Sequence, residues 1–234
     1  MKHFLTCSVL LPDRLGTTAI LGLLFTLGAF GQKMDTGNVA PVRSIKGQTI
    51  VSHELPKAEL TILNGFRFAG TQRVNLYGNA EAEQYLFVKV GPHRIVNQFY
   101  WVQFEHFLPT NNRTYDYVPK RTTEMGGLEF IYDVKSWPDY VTMQAEDPAS
   151  DGAAVERLLA KHQLSFPHRT VRVRMFHFPS ADRRAELMII YGEALPDNSG
   201  VPVRGGGVEL DTESPASAQR FLDHARRGLV VRTQ

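Results

Sequence analysis

The sequence predicts an α+β fold, in which two helices pack on a mainly antiparallel twisted sheet. Strand-like runs of aromatic and β-branched residues fill the first two thirds of the 234-residue chain, and two later segments have the apolar spacing of helices. Most connections between the strands are too short for parallel crossovers. The alternative is a β-barrel with a helix across one mouth.

The first 31 residues have the features of an export leader. Its positive charges are Lys2, His3 and Arg14. Residues 17–30 carry no charge, and this run is shorter than the about 20 residues of a membrane-spanning helix. We expect residues 1–31 to be a signal peptide cut before Gln32, which places the rest of the chain in the periplasm or outside the cell. Alternatively, residues 15–31 stay as an anchor in the inner membrane, or the true start is Met34.

Composition and charge exclude several classes of protein. The hydrophobic fraction of 43% and the charged fraction of 21% are those of a globular domain, which argues against disorder. Lys and Arg number 26 and Asp and Glu number 24, so the chain lacks the positive excess of a general nucleic-acid binder. The single cysteine, Cys7, lies in the leader, and the remainder therefore has neither a disulfide framework nor a thiolate metal site.

After the leader, residues 32–55 mix Gln, Gly, Asn, Pro, Ser and Lys with few aromatics. This composition predicts a linker or a loosely packed arm. A single α+β domain is expected over residues 56–234. Its first segment is ambiguous, because Pro56 could open a short helix, whereas residues 59–68 could equally form one strand.

The strongest pair of strands covers residues 83–90 and 94–108, joined by a turn at Gly91-Pro92-His93. One face of the second strand carries Ile95, Phe99, Trp101 and Phe107, and the other carries Val96, Tyr100, Val102, Phe104 and Leu108. Because both faces are apolar, this strand is predicted to be central in its sheet and covered on both sides.

Further strands are expected in the runs between residues 66 and 77, which glycines interrupt, and at residues 115–118, 128–134, 170–178 and 185–191. Two helices are predicted in the last third of the chain. The first covers residues 151–163, where Ser150 or Asp151 can serve as the N-terminal cap. The second begins with Pro215 in its first turn and ends at about Arg227, before a glycine.

No sequence motif assigns a chemistry to the domain. Glycine-rich nucleotide loops, the serine-hydrolase elbow and the usual zinc-protease spacing are all missing from the sequence. The histidines His106, His168 and His177 would form a metal site only if their strands were neighbours, and a lone histidine in an apolar register is more often a hydrogen-bonded core residue. We therefore expect no cofactor, no metal and no catalytic residue set.

Two charged sets are predicted to be solvated. The densest basic stretch comprises Arg169, Arg172, Arg174, Arg183 and Arg184, mostly at strand-like spacing, which is typical of a solvated sheet face or edge. The carboxylates in or near strands are Glu81, Glu83, Glu105, Asp116, Glu124, Glu129, Asp133 and Glu186. Cross-strand salt bridges and solvated strand ends account for such residues, and nothing in the sequence selects an acid–base pair among them.

The aromatic residues around the hairpin supply the candidate ligand site. Tyrosine and tryptophan carry polar groups that a dry core must satisfy, so they suit an apolar pocket with a polar rim. The candidate ligand-binding residues are Tyr85, Tyr100, Trp101, Gln103, His106, Tyr115 and Tyr117.

Three functions fit these observations. The favoured one is an exported, non-catalytic domain that binds an apolar small molecule or a hydrophobic protein segment through its aromatic strands. The second is a membrane-tethered scaffold or assembly protein, in which only the N-terminal segment meets the membrane. The third is an extracytoplasmic hydrolase with dispersed acid and base residues, for which Glu105, His106, Asp116 and His177 are the candidates.

Overall fold

The computed structural model describes residues 42–63, 65–117, 121–137, 147–204 and 207–234. The chain divides into two compact units, residues 1–37 and residues 38–234, and every described residue belongs to the second unit. The predicted leader, residues 1–31, lies outside the described residues. Within the described ranges, no helix is long and apolar enough to cross a membrane.

Four short strands form one antiparallel sheet. They are β1 (Ser44–Lys46), β2 (Thr49–Ser52), β3 (Ala58–Ile62) and β12 (Leu229–Thr233), and they follow the order β1-β2-β3-β12. The expectation of a loosely packed arm is wrong for residues 44–52, because β2 pairs with β3 and buries Ile50 and Val51. The ambiguous segment after Pro56 is a strand, and β12 is an element that the apolar pattern did not predict.

Eight strands form the second antiparallel sheet. They are β4 (Arg67–Leu76), β5 (Ala80–Val90), β6 (Val96–Phe107), β7 (Thr122–Met125), β8 (Leu128–Trp137), β9 (Thr170–His177), β10 (Ala185–Ala194) and β11 (Val208–Glu209). They follow the order β11-β8-β9-β10-β6-β5-β4, and β7 also pairs with β8. The predicted hairpin is β5–β6, joined by a 3₁₀ turn at Pro92–Arg94. The two ends of this strand order do not pair with each other in the described structure, so the sheet is not a closed barrel.

The described part of the chain contains three helices, α1 (Asp151–Lys161), α2 (Leu210–Glu213) and α3 (Pro215–Arg227). The predicted pair corresponds to α1 and α3, and α2 is a single turn that precedes α3. Ser150 caps α1, since its side-chain oxygen accepts a hydrogen bond from the Ala153 N–H at 3.1 Å. The predicted α+β fold with a mainly antiparallel sheet is confirmed.

Both faces of the eight-stranded sheet are covered. One face packs against the four-stranded sheet and α3 through a core that includes Leu60 and Tyr100. The other face packs against α1 through a second core that includes Phe99, Trp101 and Leu159. Trp101 is 2% exposed, and its strand β6 lies between β5 and β10, so the prediction of a central strand covered on both sides is confirmed.

Two local features differ from the expected alternation. Val96 lies on the face of Phe99 rather than on the face of Tyr100, because a β-bulge shifts the register between β5 and β6 beside it. Residues 115–117, which were predicted to begin a strand, form no strand. Their tyrosine rings instead stack on side chains at the ends of β6 and β9, and this stacking builds part of the site described below.

Candidate functional site

Two glutamates face each other across neighbouring strands of the large sheet. Glu105 on β6 and Glu186 on β10 are directly paired in the register. By alternation both side chains lie on the face that carries Trp101 and Ile190, which is the face that α1 covers. Directly opposed residues have Cβ atoms only about 4.5–5.5 Å apart, and two like charges there are destabilising. Glu186 is 3% exposed, so little water is present to weaken that repulsion.

Asp151, the first residue of α1, brings a third carboxyl group to this pair. Its side chain accepts a hydrogen bond from the Gly152 N–H at 2.7 Å, and its carbonyl accepts one from Gln84 Nε2 at 3.1 Å. The second bond ties the start of α1 to β5. The charge of Asp151 acts on both Glu105 and Glu186, so the three groups form one carboxyl centre, the name used below for Glu105, Asp151 and Glu186.

Two tyrosine hydroxyls act on the carboxyl centre. The Tyr115 hydroxyl donates to Glu105 Oε1 at 2.8 Å, and the Tyr117 hydroxyl favours the ionised form of Glu186 and so acts to lower its pKa. Their rings belong to an aromatic stack that consists of Phe107, Tyr115, Tyr117, Phe176 and Phe178. Contacting rings in this stack have centroids 4.5 to 6.3 Å apart and are within 26° of parallel. The stack therefore fixes both hydroxyls in position.

A chain of glutamine side chains orients Glu105 from the other side. Gln103 Nε2 donates to Glu105 Oε2 at 2.6 Å, and Gln84 Nε2 donates to Gln103 Oε1 at 2.8 Å. Gln72 extends the chain by donating to Gln84 Oε1 at 2.7 Å, and Trp101 Nε1 donates to Gln103 Oε1 at 3.1 Å. Both oxygens of Glu105 thus accept hydrogen bonds from positioned donors.

One oxygen of Glu186 lacks a partner. The buried Oε2 has no hydrogen-bond partner among the described residues, and it is one of seven buried side-chain nitrogen and oxygen atoms there of which this is true. Leaving a buried polar atom unpaired costs about 1–3 kcal/mol, so the centre is incompletely satisfied at this oxygen.

Burial dominates the electrostatics of Glu105. Desolvation, followed by repulsion from the charge of Asp151, raises the pKa of Glu105 to about 7. The hydrogen bonds from Tyr115 and Gln103 favour its ionised form and oppose that rise. Glu105 therefore changes its charge near neutral pH.

The other two carboxyl groups are shifted in the same direction. Desolvation and the charges of Glu105 and Asp151 raise the pKa of Glu186 well above its ordinary value, although the bond from Tyr117 opposes this. Desolvation also raises the pKa of Asp151, although the hydrogen bond from the Gly152 N–H and the charges of nearby arginines act to lower it. At neutral pH the carboxyl centre therefore retains protons that exposed carboxylates would have lost.

Two arginines on β9 lie on the same face of the sheet. Arg174 makes a two-pronged ion pair with Asp133 on β8, in which Nε donates to Oδ1 at 2.8 Å. Arg172 is 6% exposed and its guanidinium lies 5.0 Å from the centre of the Trp137 ring. The expectation of a solvated face or edge is wrong for both residues, because β9 is an interior strand between β8 and β10.

The structure divides the seven predicted ligand-binding residues. Trp101, Gln103, Tyr115 and Tyr117 lie together around the carboxyl centre. Tyr85 and Tyr100 lie on the opposite face of the sheet, where their hydroxyls donate to Glu83 at 3.0 Å and to the Ala225 carbonyl at 2.6 Å. His106 is 54% exposed and 4.0 Å from Glu81. The seven residues do not share one pocket.

Of the four proposed hydrolase residues, the structure places only Glu105 in the centre. Asp116 is exposed, and His177 Nδ1 lies 2.8 Å from the Glu129 carbonyl. Within the described ranges, no group of three or more His, Cys, Asp or Glu side chains is arranged to hold a metal ion.

Asp151 and Glu186 were not among the predicted site residues. Asp151 was interpreted only as a possible helix cap, and Glu186 as one of many strand carboxylates. The available signal was a glutamate within the otherwise apolar run at residues 185–191.

In comparisons with known proteins, no family model, no curated protein and no solved structure matches this chain.

Proposed function

We propose that this domain is an acid–base hydrolase whose reacting groups belong to the carboxyl centre. The observation that supports this proposal most is the cross-strand pair Glu105–Glu186, with one buried Glu186 oxygen that has no partner among the described residues. Two carboxyl groups in one desolvated site resist ionising together, so one keeps a proton while the other is charged. General acid–base catalysis requires this division.

The hydrogen bonds assign different roles to the two glutamates. Glu186 is the more buried of the two glutamates, and a proton on its Oε2 has no protein acceptor in the described structure. Glu186 is therefore the general acid that protonates a leaving group. Glu105 accepts hydrogen bonds on both oxygens, which favours its charged form, and it is the base that takes a proton from water.

Asp151 is a positioning residue in this proposal. Its carbonyl anchors the start of α1 to Gln84, and its charge keeps protons on the two glutamates. Asp151 and Glu105 are only partly buried, so the centre retains contact with solvent.

The experiment is a hydrolysis screen of the purified protein against nitrophenyl esters, phosphates and glycosides, which share one chromogenic leaving group. We expect carboxyl-dependent turnover of at least one class, with kcat reduced about 100-fold or more in Glu105→Gln and in Glu186→Gln. Glu81→Gln is the matched control, because Glu81 is also a strand glutamate but pairs with Arg73 at 2.7 Å away from the centre. Turnover of no class, or turnover in both glutamine variants equal to that of the wild type, would refute the proposal.

The binding of an apolar ligand is the second candidate function. The aromatic stack favours it, because Phe107, Tyr117 and Phe178 are only partly buried. Thermal-shift screening with apolar aromatic probes tests this candidate, with Tyr117→Phe as the variant and Tyr100→Phe, on the opposite face, as its control. Stabilisation that only Tyr117→Phe weakens would support it, whereas identical responses in all three proteins would exclude it.

A further inference from the structure

We infer that the bond cleaved at the carboxyl centre is the acetal bond of a glycoside, rather than an ester, amide or phosphate bond. This inference rests on the proposed acid–base function and adds the class of substrate. It is argued from the charges around Glu105 and Glu186, from the donors already engaged there, and from the aromatic stack beside them.

The charge around the centre disfavours an anionic substrate. Three carboxyl groups meet there. Of the two arginines on this face, Arg174 is paired with Asp133 through two hydrogen bonds, and the Arg172 guanidinium lies over the Trp137 ring. A phosphate or carboxylate group would add negative charge to a desolvated site that already resists ionisation. The substrate is therefore neutral or positively charged where it meets the centre.

The hydrogen-bond donors of the site disfavour acyl transfer. Ester and amide hydrolysis place a negative charge on the carbonyl oxygen in the transition state, and that charge requires positioned donors that are free to receive it. Around the centre, the hydroxyl of Tyr115 and the amide of Gln103 already donate to the two oxygens of Glu105. Carboxylates at the same place would repel the developing negative charge.

Glycoside cleavage has the opposite electrostatic requirement. Its transition state carries positive charge on the anomeric carbon and the ring oxygen, which a nearby carboxylate stabilises. It also requires one carboxylic acid to protonate the departing oxygen and one carboxylate base. Glu186 and Glu105 provide this pair, on adjacent strands and on the same face of the sheet.

The reaction can be written with each proton assigned. The Glu186 carboxyl proton passes to the glycosidic oxygen, the bond from that oxygen to the anomeric carbon breaks, and its electron pair leaves with the departing alcohol. A water oxygen bonds to the anomeric carbon while Glu105 takes the water proton. The products are the free sugar and the alcohol, and return of the proton from Glu105 to Glu186 through solvent restores the centre.

The aromatic stack provides a surface that suits a sugar ring. Phe107, Tyr117 and Phe178 are only partly buried beside the centre. The C–H faces of a pyranose pack on aromatic rings, whose apolar area contributes most of their binding energy. A neutral polyhydroxylated ring therefore finds apolar contact next to the acid that would cleave its bond.

The test compares substrates that differ only in the bond cleaved. Nitrophenyl glycosides of the common pyranoses, in both anomers, are assayed beside nitrophenyl acetate, butyrate and phosphate with the wild type, Glu105→Gln, Glu186→Gln and Glu81→Gln. We expect cleavage of one or more glycosides, reduced about 100-fold or more in the first two variants and unchanged in Glu81→Gln. A dinitrophenyl glycoside, whose leaving group needs no proton, should restore turnover in Glu186→Gln but not in Glu105→Gln.

The outcomes separate this inference from the function on which it rests. Carboxyl-dependent cleavage of esters or phosphates without cleavage of any glycoside overturns the glycoside inference and leaves the acid–base function in place. If no substrate is cleaved in a carboxyl-dependent way, both are overturned. Thermal unfolding of each variant shows that it is folded. If a folded Glu186→Gln loses turnover and the dinitrophenyl substrate does not restore it, the assignment of Glu186 as the acid is overturned.

Discussion

At the scale of single residues, the carboxyl centre places like groups where a sheet would ordinarily avoid them. Glu105 and Glu186 are direct cross-strand neighbours, and the charge of Asp151 reaches both. If these three carboxyl groups served only to stabilise the fold, apolar side chains in their place would do so equally well, because buried polar groups stabilise a fold only when all their hydrogen bonds are made. At the Glu186 oxygen without a partner among the described residues, the centre is not fully satisfied.

The hydroxyl of Tyr115 should hold the pKa of Glu105 down. Its 2.8 Å hydrogen bond favours the ionised carboxylate, so Tyr115→Phe should raise the pKa of Glu105 above its value of about 7. Isotope-edited NMR of labelled glutamate carboxyl groups measures this value through a pH titration. Tyr85→Phe is the control, because that hydroxyl donates to Glu83 on the opposite face. A titration of Glu105 that is unchanged in Tyr115→Phe would contradict the assigned bond.

Trp101 tests the packing beneath the site. It is 2% exposed between the large sheet and α1, and its Nε1 donates to Gln103 at 3.1 Å. Trp101→Ala should therefore reduce the free energy of unfolding by about 3–5 kcal/mol, as the truncation of large core aromatics does. Urea unfolding measures the change, and Tyr77→Ala at an exposed turn is the control. A loss below about 1 kcal/mol, typical of surface substitutions, would mean that Trp101 is not in the core.

At the scale of elements, α1 connects the hydrophobic core to the carboxyl centre. Its apolar residues Val155, Leu158 and Leu159 pack on the sheet, and its first residue is Asp151. The first turn is fixed by the Ser150 cap and by the bonds from Gln72 and Gln84 to helix carbonyls. The position of the third carboxyl group therefore depends on an ordinary helix start.

Ser150→Ala should loosen this helix start. Removal of an N-cap hydroxyl leaves the Ala153 N–H without its acceptor and reduces the free energy of unfolding by about 0.5–2 kcal/mol. Chemical denaturation measures the loss, with Ser165→Ala, at an exposed serine beyond α1, as the control. Equal stability of the two variants would show that the cap does not hold α1.

The sequence supported the long elements better than the short ones. The β5–β6 hairpin and α1 and α3 were predicted because their apolar spacing extends over many residues. Strands β1, β2 and β12 have three to five residues each, and their burial comes from pairing with distant strands rather than from a local pattern. The centre was missed for a related reason. Alternation shows which face of its own strand Glu105 or Glu186 occupies, but it does not show that β6 and β10 are neighbours.

At the scale of the whole molecule, export remains a prediction. The basic start and the uncharged run at residues 17–30 predict that, in a Gram-negative host, the protein leaves the cytoplasm and begins at Gln32. Mass spectrometry of the periplasmic fraction measures the N-terminus. Leu23→Arg, which places a charge within the uncharged run, should retain the protein inside the cell. A wild-type protein that stays full-length in the cytoplasm would refute the prediction.

The stability of the whole domain should fall as the pH rises through neutrality. Glu105 has a pKa of about 7 in the folded state against an ordinary value of 4.5, and the pKa values of Glu186 and Asp151 are also raised. At pH values above the ordinary pKa of a carboxyl group, the folded state therefore binds more protons than the unfolded state. In that range the free energy of unfolding must decrease as the pH rises.

Glu83 acts in the opposite direction and limits stability in acid. Burial alone would raise its pKa, but the Val42 N–H and the charge of Arg43 outweigh burial and lower it. The contribution of Glu83 to the free energy of unfolding is fully present at pH values above its ordinary pKa. That contribution is lost as the pH falls through the lowered pKa of the folded state. Stability should therefore be greatest in mildly acidic solution.

Glu105→Gln isolates the part of this dependence that belongs to the centre. The amide cannot ionise, so the decrease in the free energy of unfolding between about pH 5 and pH 8 should become smaller, by no more than roughly 3 kcal/mol for one carboxyl group. Urea unfolding at several pH values measures both curves, and Glu81→Gln should follow the wild type. Removal of the Glu105 charge also relieves repulsion on Glu186, which lowers the pKa of that group and flattens the variant curve further. If the free energy of unfolding of Glu105→Gln has the same pH dependence as that of the wild type, Glu105 ionises in the folded protein as an exposed glutamate does. Such a glutamate would be fully charged at neutral pH, and it would be unsuited to share a proton with Glu186.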